Sequence, residues 1–224
     1  MFFAVLCEGG DQSMRSLTTA QTAGMIIAAC DAVIENKPYL TEVDSKIGDG
    51  DHGIGMSGGM EKAKAALLEK DTFDDINTVF QITGMTMLNS MGGASGVIFG
   101  SMFLGGIKKL EPCKELDGET FTKIMRGSLN SIKERGKAQV GDKTMVDALE
   151  PAVIAMENSD KDDLTALLDK AEKAALQGVE NTKNCVAKFG RAKSLLERAI
   201  GYQDAGATSV SIIFGAMHSY VQNL

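Results

Sequence analysis

Tryptophan is absent from this 224-residue chain, aromatic residues make up 5% of it, and proline occurs three times, at Pro38, Pro112 and Pro151. An apolar set so poor in large rings and rich in Ala, Leu, Ile and Met suits close-packed helices better than a β-sandwich. With so little proline and no Ser/Pro-rich stretch, nothing marks an interdomain linker, so one domain is expected. Basic residues are short too: 23 Lys and Arg against 30 Asp and Glu leave a net charge of −7. That excludes non-specific nucleic-acid binding through a basic face. The histidines are only His52 and His218, and Cys7, Cys30, Cys113 and Cys185 lie far apart with no C-x-x-C pair. A zinc site of ordinary ligand spacing and a disulfide framework are both excluded, and reduced thiols point to the cytoplasm. No run approaches the roughly 20 apolar residues of a membrane span. Met1 to Cys7 is apolar but lacks a basic leader and runs into Glu8-Gly-Gly-Asp11, so it is not read as a signal peptide. Residues 1–14 are expected to be an irregular segment ahead of a domain spanning 15–224.

What the chain does have is glycine, 25 residues, methionine, 13, and apolar residues at helical spacing. Met25, Ile26, Ala29, Val33 and Ile34 mark a helix from Thr18 to Asn36, stopped by Asn36-Lys-Pro38. Further helices are expected over Ser57–Lys70, from an Asp71-Thr72 cap to Asn89 with Phe73, Ile76, Phe80 and Met87 inward, and over Ala94–Leu110, Thr120–Gly136, Thr144–Asn158, Asp162–Phe189 and Gly206–Leu224. Pro151 should kink its helix or mark a first turn. Thr208 to Phe214 is the best strand candidate, but helix is preferred there. The reading is an all-α domain of about eight helices. His218, in an apolar segment, reads as structural, and Met85, Met87 and Met91 as core.

The densest chemical signal lies between two helices, in Asp44-Ser-Lys-Ile-Gly-Asp49-Gly-Asp51-His52-Gly-Ile-Gly55. Three carboxylates within eight residues repel one another unless a cation sits between them. The interleaved glycines let the backbone turn tightly so that these side chains converge. Hard oxygen ligands of this kind suit Mg²⁺, which binds through carboxylates plus substrate phosphates, and the following helix offers N–H groups to an anion.

Three familiar motifs nearly fit and fail. Gly48-x-Gly50-x-x-Gly53 and Gly53-x-Gly55-x-x-Gly58 follow no credible strand, so neither is a dinucleotide fingerprint. An EF-hand loop counted from Asp49 has Ile54 where glycine belongs and Met60 where glutamate belongs. Gly136 to Thr144 resembles a P-loop, but Asp142 intrudes before Lys143, which is left out of the site. Two more Gly-rich turns, Met91 to Gly100 and Gly201 to Thr208, lead into apolar helices. If the helices run up and down, alternate turns meet at one rim.

Taken in order, Lys46-Ile-Gly-Asp-Gly-Asp-His-Gly53, Gly92-Gly-Ala-Ser-Gly96, Arg135 to Met145 and Gly190-Arg-Ala with Gly201 to Ala207 resemble the L subunit of dihydroxyacetone kinase over nearly the whole chain after about residue 15. The resemblance implies an antiparallel barrel of eight helices with a nucleotide, ADP or ATP, bound in the loops at one end. It implies that Asp44, Asp49 and Asp51 hold two Mg²⁺ ions. It places His52, Gly53, Ile54 and Gly55 beside the phosphates, and Ala94 and Ser95 in a turn beside the nucleotide. Gly136 and Met145 then line base and sugar, Arg191 contacts the nucleotide, and Asp204, Ala205 and Gly206 form the last binding loop. The chain departs from the family at Val97 and Ala205, where proline is frequent, and at Tyr202, where histidine is.

In that family a separate K subunit holds dihydroxyacetone. The L subunit either exchanges ADP for ATP or keeps ADP, which a phosphohistidine protein of the phosphotransferase system (the M subunit) rephosphorylates in place. The expected function is therefore the nucleotide-binding subunit of a multi-subunit dihydroxyacetone kinase, with no acid or base assigned on this chain. Two alternatives stay open: service to another hydroxyketone or fatty-acid kinase, and a regulatory protein whose nucleotide state a transcription factor senses.

Overall fold

Thr18 and Gln21 open the first helix reciprocally: Gln21 N donates to Thr18 Oγ1 at 3.2 Å, and Thr18 N donates to Gln21 Oε1 at 3.0 Å. The computed structural model describes residues 14–224. The expected irregular segment at 1–14, and Cys7 within it, fall outside those residues but for Met14. In chain order the elements are β1 (Ser16–Thr18), α1 (Thr19–Glu35), α2 (Lys37–Ile47), α3 (His52–Leu68), α4 (Ile76–Ser90), α5 (Gly93–Leu104), β2 (Glu115–Asp117), α6 (Gly118–Gly136), α7 (Val146–Glu157), α8 (Leu164–Thr182), a 3₁₀ segment (Arg191–Ala199) and α9 (Ala205–Gln222). Helix α1 packs on α3, each helix from α3 to α9 packs on the next, and α9 returns to α1. Eight helices thus close a ring, with α2 outside it against α3 and α9. The barrel is filled by Met25, Ile26, Met56, Met60, Phe80, Phe103, Phe121, Leu149, Leu168 and Phe214, all fully buried. None of the described helices is long and apolar enough to cross a membrane.

Several boundaries differ from expectation, each for a local reason. Helix α2 was not anticipated because Pro38 read as a stop. It sits in the first turn of α2 instead, where its missing N–H has no partner to lose. Helix α3 starts at His52, five residues before Ser57, so the glycine-rich stretch forms its first turn. Helix α4 is capped by Asp75, whose Oδ1 accepts from Thr78 N at 2.7 Å, and not by Asp71-Thr72. Helices α5 and α8 end early, at Leu104 and Thr182. The three-residue strands, too short to show alternation, pair antiparallel with Leu17 opposite Leu116, both fully buried.

Thr208 to Phe214 is helical, within α9. Met87 and Met91 are buried, but Met85 is 40% exposed, because it falls on the outer face of α4. His218 Nδ1 pairs with Glu172 Oε2 at 2.7 Å, linking α9 to α8. Pro151 lies inside α7, beyond its first turn. Lacking an N–H, it gives the Asp147 carbonyl no helical donor, and Gly178 of α8 packs on that carbonyl.

The short β1–β2 ribbon gathers one end of the barrel. Thr18 and Asp117, at its ends, cap α1 and α6. Leu164 N, opening α8, donates to Met14 O at 2.7 Å, and Ile76 N, opening α4, donates to Cys113 O at 2.8 Å. The starts of α3, α5, α7 and α9 lie at the other end.

Candidate functional site

Asp44 projects from the last turn of α2, and Asp49 and Asp51 from the loop that carries the chain into α3. One carboxylate oxygen from each lies within 4.8 Å of the other two. Two glycines make this convergence feasible. A Cβ on Gly48 would stand 2.2 Å from Asp44 Oδ1, and Gly50 has φ +76°, which a side chain rarely tolerates. Asp44 Oδ2 accepts from His52 N at 3.2 Å, tying the cluster to the start of α3. Arg191 Nε meets Asp49 Oδ2 at 2.8 Å. Burial, then the neighbouring Asp49 and Asp44 carboxylates, push the Asp51 carboxyl up, against a smaller opposing pull from Arg191. Three crowded hard oxygens at half-exposed positions have the donor chemistry of a Mg²⁺ site. The residues fit that ion.

The cluster borders a cavity of about 980 Å³. Its walls come from the starts of four helices: His52, Ile54 and Gly55 of α3, Gly92 to Ser95 at α5, Thr144 and Met145 at α7, and Asp204 to Gly206 at α9. A helix start carries unpaired N–H groups and a partial positive charge. At the ribbon end, Thr18, Asp75, Asp117 and Asp163 satisfy such groups on α1, α4, α6 and α8 with their own side chains. At the cavity end, the cap residues of α3, α5 and α7 make no side-chain bond, Asp204 accepts from Ala207 N at 2.7 Å, and the first N–H of α3 and that of α7 go to Asp44 Oδ2 and Thr144 Oγ1. In a chain of net charge −7, the N–H groups that remain open at these helix starts are what makes the cavity hospitable to an anion.

Of the residues expected at the site, Asp44, Asp49, Asp51, His52, Ile54, Gly55, Ala94, Ser95, Met145, Arg191, Asp204, Ala205 and Gly206 line the cavity. Gly53 does not. It packs α3 on α2, where a Cβ would lie 2.3 Å from Thr41 Oγ1. Gly136 does not line it either; a Cβ there would lie 3.4 Å from Ile98 Cδ1, and Ile98 forms the wall. His52 Nε2 is engaged by Ser209 Oγ at 2.8 Å, and burial lowers its pKa, so the ring is neutral near pH 7. Burial pushes the Asp204 carboxyl up to about 7. The cavity also takes in Met91, Ile98, Phe99, Phe189 and Lys143, which sequence reasoning passed over. Apolar wall residues carry no motif. Lys143 sat within the discounted P-loop-like stretch.

Residues 46–219 match the family model of the DAK2 domain. The chain belongs to this family. Among relatives, this DAK2 domain is 43% identical to the "PEP-dependent dihydroxyacetone kinase 1, ADP-binding subunit DhaL" of Listeria innocua, over 185 residues covering 83% of this chain and 88% of that one. It is 38% identical to the "PTS-dependent dihydroxyacetone kinase, ADP-binding subunit DhaL" of Lactococcus lactis, covering 80% of this chain and 86% of that one. Among solved structures it resembles the dihydroxyacetone kinase from C. freundii in complex with AMP-PNP and Mg²⁺, with a TM-score of 0.70 and 24% identity. That match covers 98% of this chain and 37% of the longer one, and it is a likeness of fold. The eight-helix ring expected from the resemblance is the fold observed.

Proposed function

We propose that this DAK2 domain is the nucleotide-binding subunit of a multi-subunit dihydroxyacetone kinase, working in the cytoplasm with a K subunit that holds dihydroxyacetone. The observation that carries the reading is the meeting, at one cavity, of a three-carboxylate cluster with helix starts that their own caps leave open. A polyphosphate is the ligand that uses both. Its oxygens would accept from the N–H groups left open at the starts of α3 and α5 and from those of Ala205 and Gly206, which precede the one that Asp204 caps at α9, and its remaining charge needs cations that the carboxylates would hold. The relatives named as ADP-binding subunits support the same assignment.

Asp44, Asp49 and Asp51 would hold two Mg²⁺ ions, which supply charge neutralisation for the phosphates when bound. The carboxylates act as ligands rather than as acids or bases. Arg191, on an exposed segment, supplies a further positive charge beside Asp49. Ala94 and Ser95 at α5 and Asp204, Ala205 and Gly206 at α9 would stand beside the nucleotide, with Met145 and Ile98 lining sugar and base. The chain's contribution is to position the nucleotide with its terminal phosphate facing out of the cavity, which is most of what phosphoryl transfer requires of a protein. The terminal phosphorus then gains a bond to a dihydroxyacetone hydroxyl oxygen as its bond to the bridging oxygen breaks. ADP remains, and the hydroxyl proton is taken on the partner's side. ADP held in place is recharged by a phosphohistidine protein of the phosphotransferase system, a mode that the words "PEP-dependent" and "PTS-dependent" in the two relatives' names support.

Isothermal titration with ADP in Mg²⁺ and in EDTA tests the binding half, and transfer from phosphorylated donor protein to dihydroxyacetone in the presence of a K subunit tests the rest. Metal-dependent ADP binding that is lost in Asp49→Ala is expected. Metal-independent binding, or transfer that proceeds without this chain, would overturn the reading.

A further inference from the structure

Lys143 is the one cationic side chain in the buried set of the described residues, at 2% exposed. Its ammonium makes no ion pair, although the Asp204 and Asp147 carboxyls are near enough to favour its charge. Nζ donates to the backbone carbonyl of Thr182 at 2.6 Å and to that of Tyr202. Placing an ammonium out of water is costly unless its protons are satisfied, so such a group persists where its bonds hold something in place. Thr182 is the last residue of α8, the negative end of that helix, where a cation is favoured. Tyr202 lies two residues before the cap of α9.

The loop at residues 201–204 is tied to the end of α8 at two further points. Gly201 N donates to Lys183 O at 2.7 Å, and Asp204 N donates to Thr182 Oγ1 at 3.0 Å. The Lys143 backbone is itself unusual for a residue with a side chain, with φ 60°. That turn is held by Asp147, whose Oδ1 accepts from Gly141 N at 2.6 Å and whose Oδ2 accepts from Thr144 N at 2.7 Å. The turn delivers Thr144 and Met145 to one wall of the cavity while the ammonium reaches across to the loop forming the next wall.

We propose that Lys143 is a positioning residue of the nucleotide site. Its ammonium clamps the Gly201–Gly206 loop to the end of α8, so that the N–H groups opening α9 face the cavity in register with the wall at Thr144 and Met145. The inference rests on the nucleotide reading above, and adds a residue of the cavity wall whose ammonium is bonded to two backbone carbonyls. A hydrophobic side chain of similar length fills the same volume but leaves the Tyr202 carbonyl without a donor, the Thr182 carbonyl with Cys185 N alone, and the loop free to drift.

Lys143→Met, Lys143→Gln and Lys143→Arg in the full chain test it, with hydrogen exchange on ligand-free protein, ADP titration in Mg²⁺, and titration with Mn²⁺ alone as a probe of the carboxylate cluster. In Lys143→Met the amides of residues 201–207 are expected to exchange at least tenfold faster and ADP affinity to fall tenfold or more, with Mn²⁺ affinity kept within twofold. Lys143→Arg restores part of the ADP affinity. Lys143→Gln, which keeps one donor, loses an intermediate amount and replaces the methionine variant if that one does not fold. Unchanged exchange in the 201–207 loop overturns the clamp, as does ADP affinity within twofold of the parent. A parallel loss of Mn²⁺ binding and of protection throughout the barrel overturns it too, since that is a general structural role. A parent that binds no ADP refutes the nucleotide reading, while the exchange result still decides the clamp.

Discussion

Arg191 Nε stands 2.8 Å from Asp49 Oδ2, which puts a side-chain cation on a carboxylate oxygen that a divalent ion would use. The two cations compete. The Arg191 side chain is 76% exposed, so the pair contributes under about 1 kcal/mol. Arg191→Met should therefore tighten Mn²⁺ or Mg²⁺ binding in the absence of nucleotide by up to about fivefold, read by calorimetry at low salt. The same variant should bind ADP more weakly in Mg²⁺. Metal affinity that is unchanged or lower would show that the pair is not a competitor.

Gly48→Ala should remove the site while sparing the barrel. The added Cβ would stand 2.2 Å from Asp44 Oδ1, so the carboxylate must turn away from Asp49 and Asp51. The loop is partly exposed, and the stability loss should be at the low end of the roughly 1–3 kcal/mol typical of overpacking. Metal-dependent ADP binding should fall by a hundredfold or more with the helical circular dichroism preserved. Retention of ADP affinity would mean that Asp44 is not a ligand.

Asp204 makes the stability depend on pH in a direction opposite to that of most carboxylates. Burial raises its folded-state pKa from 3.8 to about 7, so the folded protein holds a proton that the unfolded chain has released. Its contribution to stability is complete below about pH 4 and is lost as pH rises toward 7. Asp204→Asn keeps an oxygen to accept from Ala207 N but does not titrate. Thermal melts of parent and variant at pH 5 and pH 8 should show the variant gaining on the parent at the higher pH. Parallel melting curves at both values would refute the assignment.

Gly178→Ala tests the contact between α7 and α8. A Cβ there would lie 2.1 Å from the Asp147 carbonyl oxygen, the one that Pro151 leaves without a helical donor. Neither helix can yield without disturbing the turn that Asp147 holds through Gly141 and Thr144. A loss of about 1–3 kcal/mol is expected by chemical denaturation. Stability equal to that of the parent would mean that the helices separate freely.

Helical periodicity was legible wherever one face of a helix is buried, as at Met25, Ile26, Ala29 and Val33 of α1. It failed where the deciding interaction is made with a distant segment. The ribbon of Ser16–Thr18 on Glu115–Asp117 joins residues about a hundred positions apart, and neither strand means anything alone. Helix α2 was hidden because a proline at a helix start and a proline that ends a helix look the same until the neighbouring backbone is placed. Gly53 was legible as part of a motif, yet its lack of a side chain serves the approach of α3 to α2.

The order of residues alone determined that acids and glycines crowd at positions 44–55, that the chain is helical, and that its charge is too negative to attract phosphate unaided. These follow from composition and from spacings of a few residues, which act locally. Only the closed ring of helices decided that α3, α5, α7 and α9 begin at one cavity, that Arg191 comes to Asp49, and that Lys143 reaches Thr182 and Tyr202. Those relationships depend on which helix ends share a side of the barrel, and long-range packing sets that rather than any local preference.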